Sequence, residues 1–319
     1  MDKQNFLADV AGTRLDVFLT SQTGKSRAYI QEQIEAGNVH VAGKTCTKPS
    51  QKLKAGESIS IHFTETKAVS LKPVDFPLEI LFEDEFLLAI NKPQGVVTHP
   101  APGFKGPTLV HYLLSHLSKL KHFTEHSDER PGIVHRLDKG TSGVILIAKD
   151  REIQEALSAQ FKNRSIKKEY EAIAWGKMFL EGKANSPIGR DRKNRQKMSS
   201  KSEKTRSALT HWKVKTLYQH FSHVELFPHT GRTHQLRVHL TEKGHSIVGD
   251  EMYGGSNKQK RYPKMNAEIS KFLEPITETF LHAKQLTFTH PKSEKLITLV
   301  APRPERFENF LTLLEKLDV

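Results

Sequence analysis

Apolar positions along this chain recur at two spacings, one turn of helix and every second residue, and together they mark out its elements. Near the N-terminus Thr13 is placed to cap an amphipathic helix through Leu15 and Leu19. A second helix starts at Ser26, with Ile30 and Ile34 one turn apart and Gly37 ending it. Residues 39–41 and 58–61 read as short strands, with turns at Gly43-Lys44 and Ala55-Gly56. Two further strands, 78–84 and 86–91, flank an acidic turn, and Asn91-Lys92-Pro93 and His99-Pro100-Ala101-Pro102-Gly103 predict a stiff loop forming one wall of a cleft. Thr108 caps a helix to Leu120, with Leu109, Leu113, Leu117 and Leu120 on one face. Val144-Ile145-Leu146-Ile147-Ala148 is a short, uninterrupted apolar run, the pattern of a buried strand.

The second half continues in the same way. Residues 151–161 carry Ile153, Ala156, Leu157 and Phe161 at helical spacing, and 170–176 read as a strand. Residues 207–218 and 221–227 form a strand pair around Gln219-His220. A helix over 234–243 is stopped by Gly244. Residues 255–280 read as polar and irregular, 286–289 and 296–300 as a closing strand pair. Pro304 is the first residue of a last helix packed through Phe307, Phe310, Leu311, Leu314 and Leu317.

Composition narrows the partner. A chain of 319 residues that is 36% hydrophobic can bury a sizeable core in two or three domains. A net charge of +13 points to a polyanion, nucleic acid before membrane. Residues 190–206 hold eight Lys and Arg against two Asp and Glu. Their expected form is a mobile loop that clamps phosphates through Arg192, Lys193 and Arg195. The single cysteine, Cys46, allows no internal disulfide and fits a reducing cytoplasm. The N-terminus has no signal-peptide pattern, and no apolar run approaches the roughly 18 residues of a membrane span. His229, His234 and His239 are five apart, which spreads them over different helical faces, so no metal site is expected. Gly24-Lys25-Ser26 imitates the end of a phosphate-binding loop, but Leu19 stands where that motif needs glycine, and nucleotide binding is rejected.

The candidate chemistry lies just before the apolar strand. In Gly132-Ile133-Val134-His135-Arg136-Leu137-Asp138-Lys139-Gly140-Thr141-Ser142-Gly143, Asp138 sits between two cations in a loop whose glycines permit tight bends. A carboxylate so placed is kept ionised and aimed, which suits a nucleophile or general base; a structural Arg–Asp ion pair is the other reading of the same residues. Arg237 lies near the core face of the 234–243 helix, and a buried arginine needs an anion, for which Asp138 is the candidate.

The wider stretch resolves these alternatives by resemblance. His135-Arg136-Leu137-Asp138 with Thr141-Ser142-Gly143 resembles the active-site loop of the RluA family of pseudouridine synthases. Lys168-Glu169-Tyr170-Glu171-Ala172 resembles that family's tyrosine motif, and Gly231-Arg232-Thr233-His234-Gln235-Leu236-Arg237-Val238-His239 its third motif, in the family's order. Residues 13–62 resemble the S4 RNA-binding domain, although 1–65 hold eight Lys and Arg against seven Asp and Glu, so any RNA contact there must be local. The resemblance implies an α+β fold. A small α/β S4 domain (1–64) and a linker (65–77) would precede a catalytic domain (78–319) with a central, mostly antiparallel mixed sheet and flanking helices.

It also implies uridine-to-pseudouridine isomerisation without a cofactor. Asp138 would be catalytic, Tyr170 would lie on the uracil face, and Arg237 would pair with Asp138. Arg136 would enter the gap left by a flipped base, with His135, Arg232 and Gln235 beside the RNA. Lys25, Ser26, Arg27 and Lys44 would touch RNA from the S4 unit. Through the RluD-like subgroup, large-subunit ribosomal RNA is the expected partner, with tRNA as the alternative substrate, for a cytoplasmic monomer with no membrane contact. A non-catalytic RNA-binding protein would explain the charge but not the three motifs. A glycosidase needs a second carboxylate, and none stands near Asp138 in sequence.

Overall fold

A computed structural model describes residues 3–25, 27–63, 72–100, 104, 106–117, 132–256, 262 and 264–317. The chain divides into two compact units, Met1–Ser70 and Leu71–Val319. In the first, β1 (Lys3–Leu7), α1 (Leu15–Thr23), α2 (Arg27–Glu35), β2 (Val39–Val41), β3 (Lys44–Thr45) and β4 (Ser58–His62) build an antiparallel sheet of order β1-β4-β2-β3 with a helix pair. Ile30, Ile34, Leu15, Leu19, Ile59 and Ile61 close its core. Thr13 does not cap α1. Arg14 holds that position without a side-chain cap, and its guanidinium turns instead to the buried Asp16. Gly24, in the left-handed region at φ 66°, ends α1 by donating to Thr20 O, so this stretch closes a helix rather than opening a phosphate loop. β1 was not expected from the sequence. Its side chains are largely exposed, and it is held by main-chain pairing with β4 rather than by a buried face.

The second unit holds β5 (Glu79–Glu83), β6 (Leu87–Lys92), α3 (Leu109–Leu117), β7 (Ser142–Ala148), α4 (Arg151–Asn163), β8 (Lys167–Trp175) and β9 (Glu181–Ala184). Then follow β10 (Ile188–Arg190), β11 (Met198–Ser199), β12 (Thr205–Arg206), β13 (Thr210–Leu217), β14 (Phe221–Pro228), α5 (Gln235–Glu242), α6 (Ala267–Leu273), β15 (Leu281–Thr289), β16 (Leu296–Val300) and α7 (Glu305–Leu317). The main sheet runs β5-β6-β7-β15-β8-β14-β13-β9, with β16 on β15. Among the described residues only β7 and β15 pair in parallel; the other pairings of this mixed sheet are antiparallel. The fold is therefore α+β, as the sequence implied.

β7 is buried along its whole length because it has a core on each face. Val144, Leu146 and Ala148 pack with α4 through Ile153 and Leu157, whereas Ile145 and Ile147 pack with α3 through Leu109, Leu113 and Leu117. Two apolar faces leave no place for alternation, hence the continuous run in sequence. Leu120, expected on α3, lies outside the described residues, as do Ala101, Pro102 and Gly103.

Three expectations are corrected. Residues 255–280 contain α6, capped by Asn266, whose short face carries Ile269 and Leu273 into the core beside α7. Pro304 precedes the first residue of α7, since its carbonyl accepts the N–H of Glu308. Residues 190–206 do not form a loose loop. They fold with β10 into a small antiparallel sheet of order β11-β10-β12, tied down where Met198 N donates to the Tyr253 hydroxyl at 2.7 Å and Ser200 N to Glu242 at 3.0 Å. Strands of two or three residues between charges leave no periodic signal in sequence.

Candidate active site

The loop carrying Asp138 is shaped by two glycines and a backing strip of chain. Gly132 has φ 68° and accepts Ala148 N, and a Cβ there would collide with the Ala148 carbonyl. Gly143, at φ 114°, lies against the Ala283 backbone in the β7–β15 pairing, where a side chain has no room either. Behind the loop, residues 94–99 follow it almost residue for residue. Gln94 Nε2 donates to Gly140 O at 3.1 Å, Gly95 N to Lys139 O at 2.9 Å, and Thr98 Oγ1 to Leu137 O at 2.8 Å. Arg136 Nη1 lies 3.2 Å from His99 Nε2. Leu137 is thereby pressed into the core, and the next residue, Asp138, lines a cavity of about 530 Å³.

The strip itself hangs on Lys92, noted in sequence only as part of a motif. Its side chain is fully buried, and Nζ donates to Pro93 O and Val96 O, both at 2.9 Å. Burial lowers its pKa to about 7, with the charge of Asp138 pulling the other way. A depressed folded pKa contributes stability that is present above the unfolded value and lost as pH falls through the folded one. The wild type should therefore gain stability relative to Lys92→Met between pH 7 and 10, measured as urea midpoints at both pH values. A constant difference would show that the ammonium is not buried as described.

Asp138 is held by a shared cation. Its Oδ2 accepts Arg237 Nη1 at 3.1 Å and stands 3.8 Å from Nε2 of His234. The side chain is 19% exposed, and Oδ1 meets no donor among the described residues. Asp138 is not, however, the main partner of Arg237. Nε and Nη2 reach Asp250 Oδ2 and Oδ1 at 2.6 and 2.9 Å, a two-pronged pair, and the guanidinium lies 4.9 Å from the Tyr253 ring centre. Burial alone would lower the pKa of Arg237, but the hydrogen bonds and charge of Asp250, then of Asp138, raise it instead. Asp250 was missed in sequence: it sits in a turn after α5, where no periodicity marks it, and only the motif-like Gly249–Gly254 context drew attention.

His234 was missed as well. It takes the left-handed conformation (φ 55°) at the start of α5, unusual for a non-glycine residue. Its Nδ1 lies 2.8 Å from the Tyr253 hydroxyl, which already accepts Met198 N–H. That hydroxyl can donate to Nδ1, in the tautomer that would put the Nε2 proton on the Asp138 side. Burial keeps His234 below the usual histidine pKa, against the pull of Asp138. Tyr170, on β8 in the cavity wall, has its pKa raised by burial first and then by the charge of Asp138, so it is a neutral phenol.

Comparison with known proteins shows the family. The RNA pseudouridylate synthase family profile matches residues 86–242, and the S4 domain profile residues 13–59. The chain is 39% identical to an uncharacterized RNA pseudouridine synthase of Chlorobaculum parvum over 310 residues, 95% of this chain and 94% of that one. It is 37% identical to ribosomal large subunit pseudouridine synthase D of Zymomonas mobilis, across 96% and 95% of the two chains. The chain belongs to the RNA pseudouridine synthase family. The structure of human RNA pseudouridylate synthase domain containing 4 superposes with TM-score 0.58 at 30% identity, over 74% of this chain and 93% of that one. The chain is thus an RNA pseudouridine synthase, an isomerase, with an S4 domain.

Within this family member, two expected RNA-contact residues line the cavity while their polar atoms bond to the protein. His135 is half-buried in the cavity wall, its Nε2 accepting Leu146 N–H at 2.8 Å and its ring stacked on Phe161, and desolvation, then Lys168, lowers its pKa to about 3. It is a neutral brace for the loop. Gln235 is saturated: Oε1 accepts from Thr230 Oγ1 and Arg232 N, and Nε2 donates to Leu209 O and Thr210 Oγ1. Arg232 lines the cavity too, held through Nε by Ser207 O. Arg192 pairs with Glu203, and neither it nor Lys193 nor Arg195 lines the cavity.

In the first unit, Lys25 and Lys44 are exposed and Ser26 lies outside the described residues. Arg27 is only half available, because Nε and Nη2 bind Asp16 at 3.0 and 2.8 Å. Burial alone would raise the Asp16 pKa, but hydrogen bonds from Arg14, Gln31 and Arg27 hold it far below the usual carboxylate range. Elsewhere, Glu169, Glu171 and Glu225 gather closely enough for an ion, but Lys215, Lys284 and Arg303 already meet their charge. No helix among the described residues is long and apolar enough to cross a membrane.

Proposed function

We propose that this enzyme isomerises uridines of large-subunit ribosomal RNA, in the cytoplasm and as a single chain, with Asp138 as its catalytic carboxylate. One observation carries the site assignment. A carboxylate with one oxygen fixed by a buried arginine and the other without a donor among the described residues opens on a cavity walled by Tyr170. The choice of RNA rests on the likeness to the large-subunit enzymes.

In the reaction the C1′–N1 bond breaks, the uracil turns, and a C1′–C5 bond forms while the C5 proton leaves and N1 gains one. No electrons are exchanged with a partner. The target base must leave its stack, at a few kcal/mol. Arg136 is exposed and its Nη1 lies beside a histidine nitrogen rather than a carboxylate, so its guanidinium is free to stack in the vacated gap. Tyr170 holds its proton too firmly to serve as a base in its own right, which favours packing against the uracil face.

The test is to map pseudouridines by carbodiimide in ribosomal RNA and tRNA from cells with and without the gene. Loss of large-subunit sites, restored by the wild-type gene, is the expected result. Intact ribosomal RNA with sites lost from tRNA would overturn the choice of substrate.

A further inference from the structure

A second charged group, of which Arg232 is one member, sits at the same cavity. Lys168 lies on β8 two residues before Tyr170, and strand alternation puts both side chains on one face, where both line the cavity. Lys168 Nζ donates to Thr230 O at 3.2 Å, which leaves two of its three protons unused. Arg164, at the end of α4, and Arg232, after the Gly231 turn, line the same cavity. Among the described residues no carboxylate pairs with any of the three. Burial, then the charges of Arg164 and Arg232, lowers the Lys168 pKa to about 8. Three cations that pair with no acid repel one another until an anion arrives. Gly231 leaves the approach open, since the nearest atom to a Cβ there would be Lys168 Nζ at 3.8 Å.

We infer that Lys168, Arg164 and Arg232 form a phosphate site that grips one of the two phosphates flanking the target uridine. The spacing fits. Two residues along a strand span roughly 7 Å, comparable with the reach from a base to the phosphate of its own nucleotide. A base against Tyr170 therefore delivers its phosphate to Lys168. This inference rests on the proposed placement of the uridine beside Tyr170.

The test is a chemical double-mutant cycle. A synthetic ribosomal RNA fragment containing the mapped uridine is made with either flanking phosphate replaced by a neutral methylphosphonate. With wild type, one replacement should weaken binding roughly tenfold. With Lys168→Met, the same replacement should have no further effect, and the slope of log affinity against log salt should be shallower by about 0.7. Lys168→Arg should restore the coupling. Turnover is expected to show the loss in KM rather than kcat. If Lys168→Met does not fold, Arg164→Gln, an exposed position, is read in its place with the same expected coupling. Replacements whose effects multiply with the substitutions, or have none at either phosphate, overturn the inference. Filter binding reads this coupling without turnover, so an RNA that binds but is not isomerised counts against the proposed substrate and not against the phosphate site.

Discussion

Asp138→Asn should bind RNA nearly as wild type does and form no measurable pseudouridine, a loss of on the order of 10⁴-fold or more. The reason is in the geometry. An asparagine is almost the same size, and its carbonyl oxygen can still accept Arg237 Nη1 where Oδ2 now does. The loop, braced from Gln94, Gly95 and Thr98 through main-chain carbonyls, does not depend on the carboxylate. Only the charge and its nucleophilic or basic capacity are lost. Because the new C1′–C5 bond expels the C5 hydrogen, release of tritium from RNA labelled at C5 of uridine measures the reaction, and filter binding measures the complex. Turnover within tenfold of wild type would remove Asp138 from the chemistry.

Arg237→Ala is the second large effect, and it should fall on stability and activity together. Asp250 is nearly fully buried and would lose both prongs of its guanidinium partner. An uncompensated buried carboxylate is destabilising by about 3–5 kcal/mol. Asp138 would at the same time lose the donor at its Oδ2, and misplacement of a reacting group by about 1 Å lowers rate on the order of 10²-fold. The double variant Arg237→Ala/Asp250→Asn separates the two. Removing the stranded charge should recover much of the urea midpoint, while turnover stays low. Recovery of turnover along with stability would reduce Arg237 to a structural strut.

The parts of the site that were legible in sequence are those where local chemistry and motif coincide. Asp138, Arg237 and Tyr170 do meet at one cavity, although they come from a loop, a helix and a strand far apart in sequence. His135 and Gln235 belong to the same motifs and line the same cavity, but their polar atoms also bond to the protein, which a motif does not state. Asp250 and Lys92 went unassigned for a related reason. Each acts through a single buried contact with chain distant from it or through backbone carbonyls, and such contacts have no period. Lys168 was quoted with its motif, but its meaning came from Arg164 and Arg232 standing beside it.

By itself the sequence determined the elements that bury apolar surface on a regular period: α3, α4, α7, the run in β7 and the helix pair of the first unit. Burial of that kind depends on spacing along the chain, which is written in the order of residues. The tertiary structure alone decided the exposed β1, the short sheet of β10, β11 and β12, and the sharing of Arg237 between Asp138 and Asp250. Those depend on main-chain pairing and on charges brought together across the fold, where distance in space, not position in sequence, sets the energy.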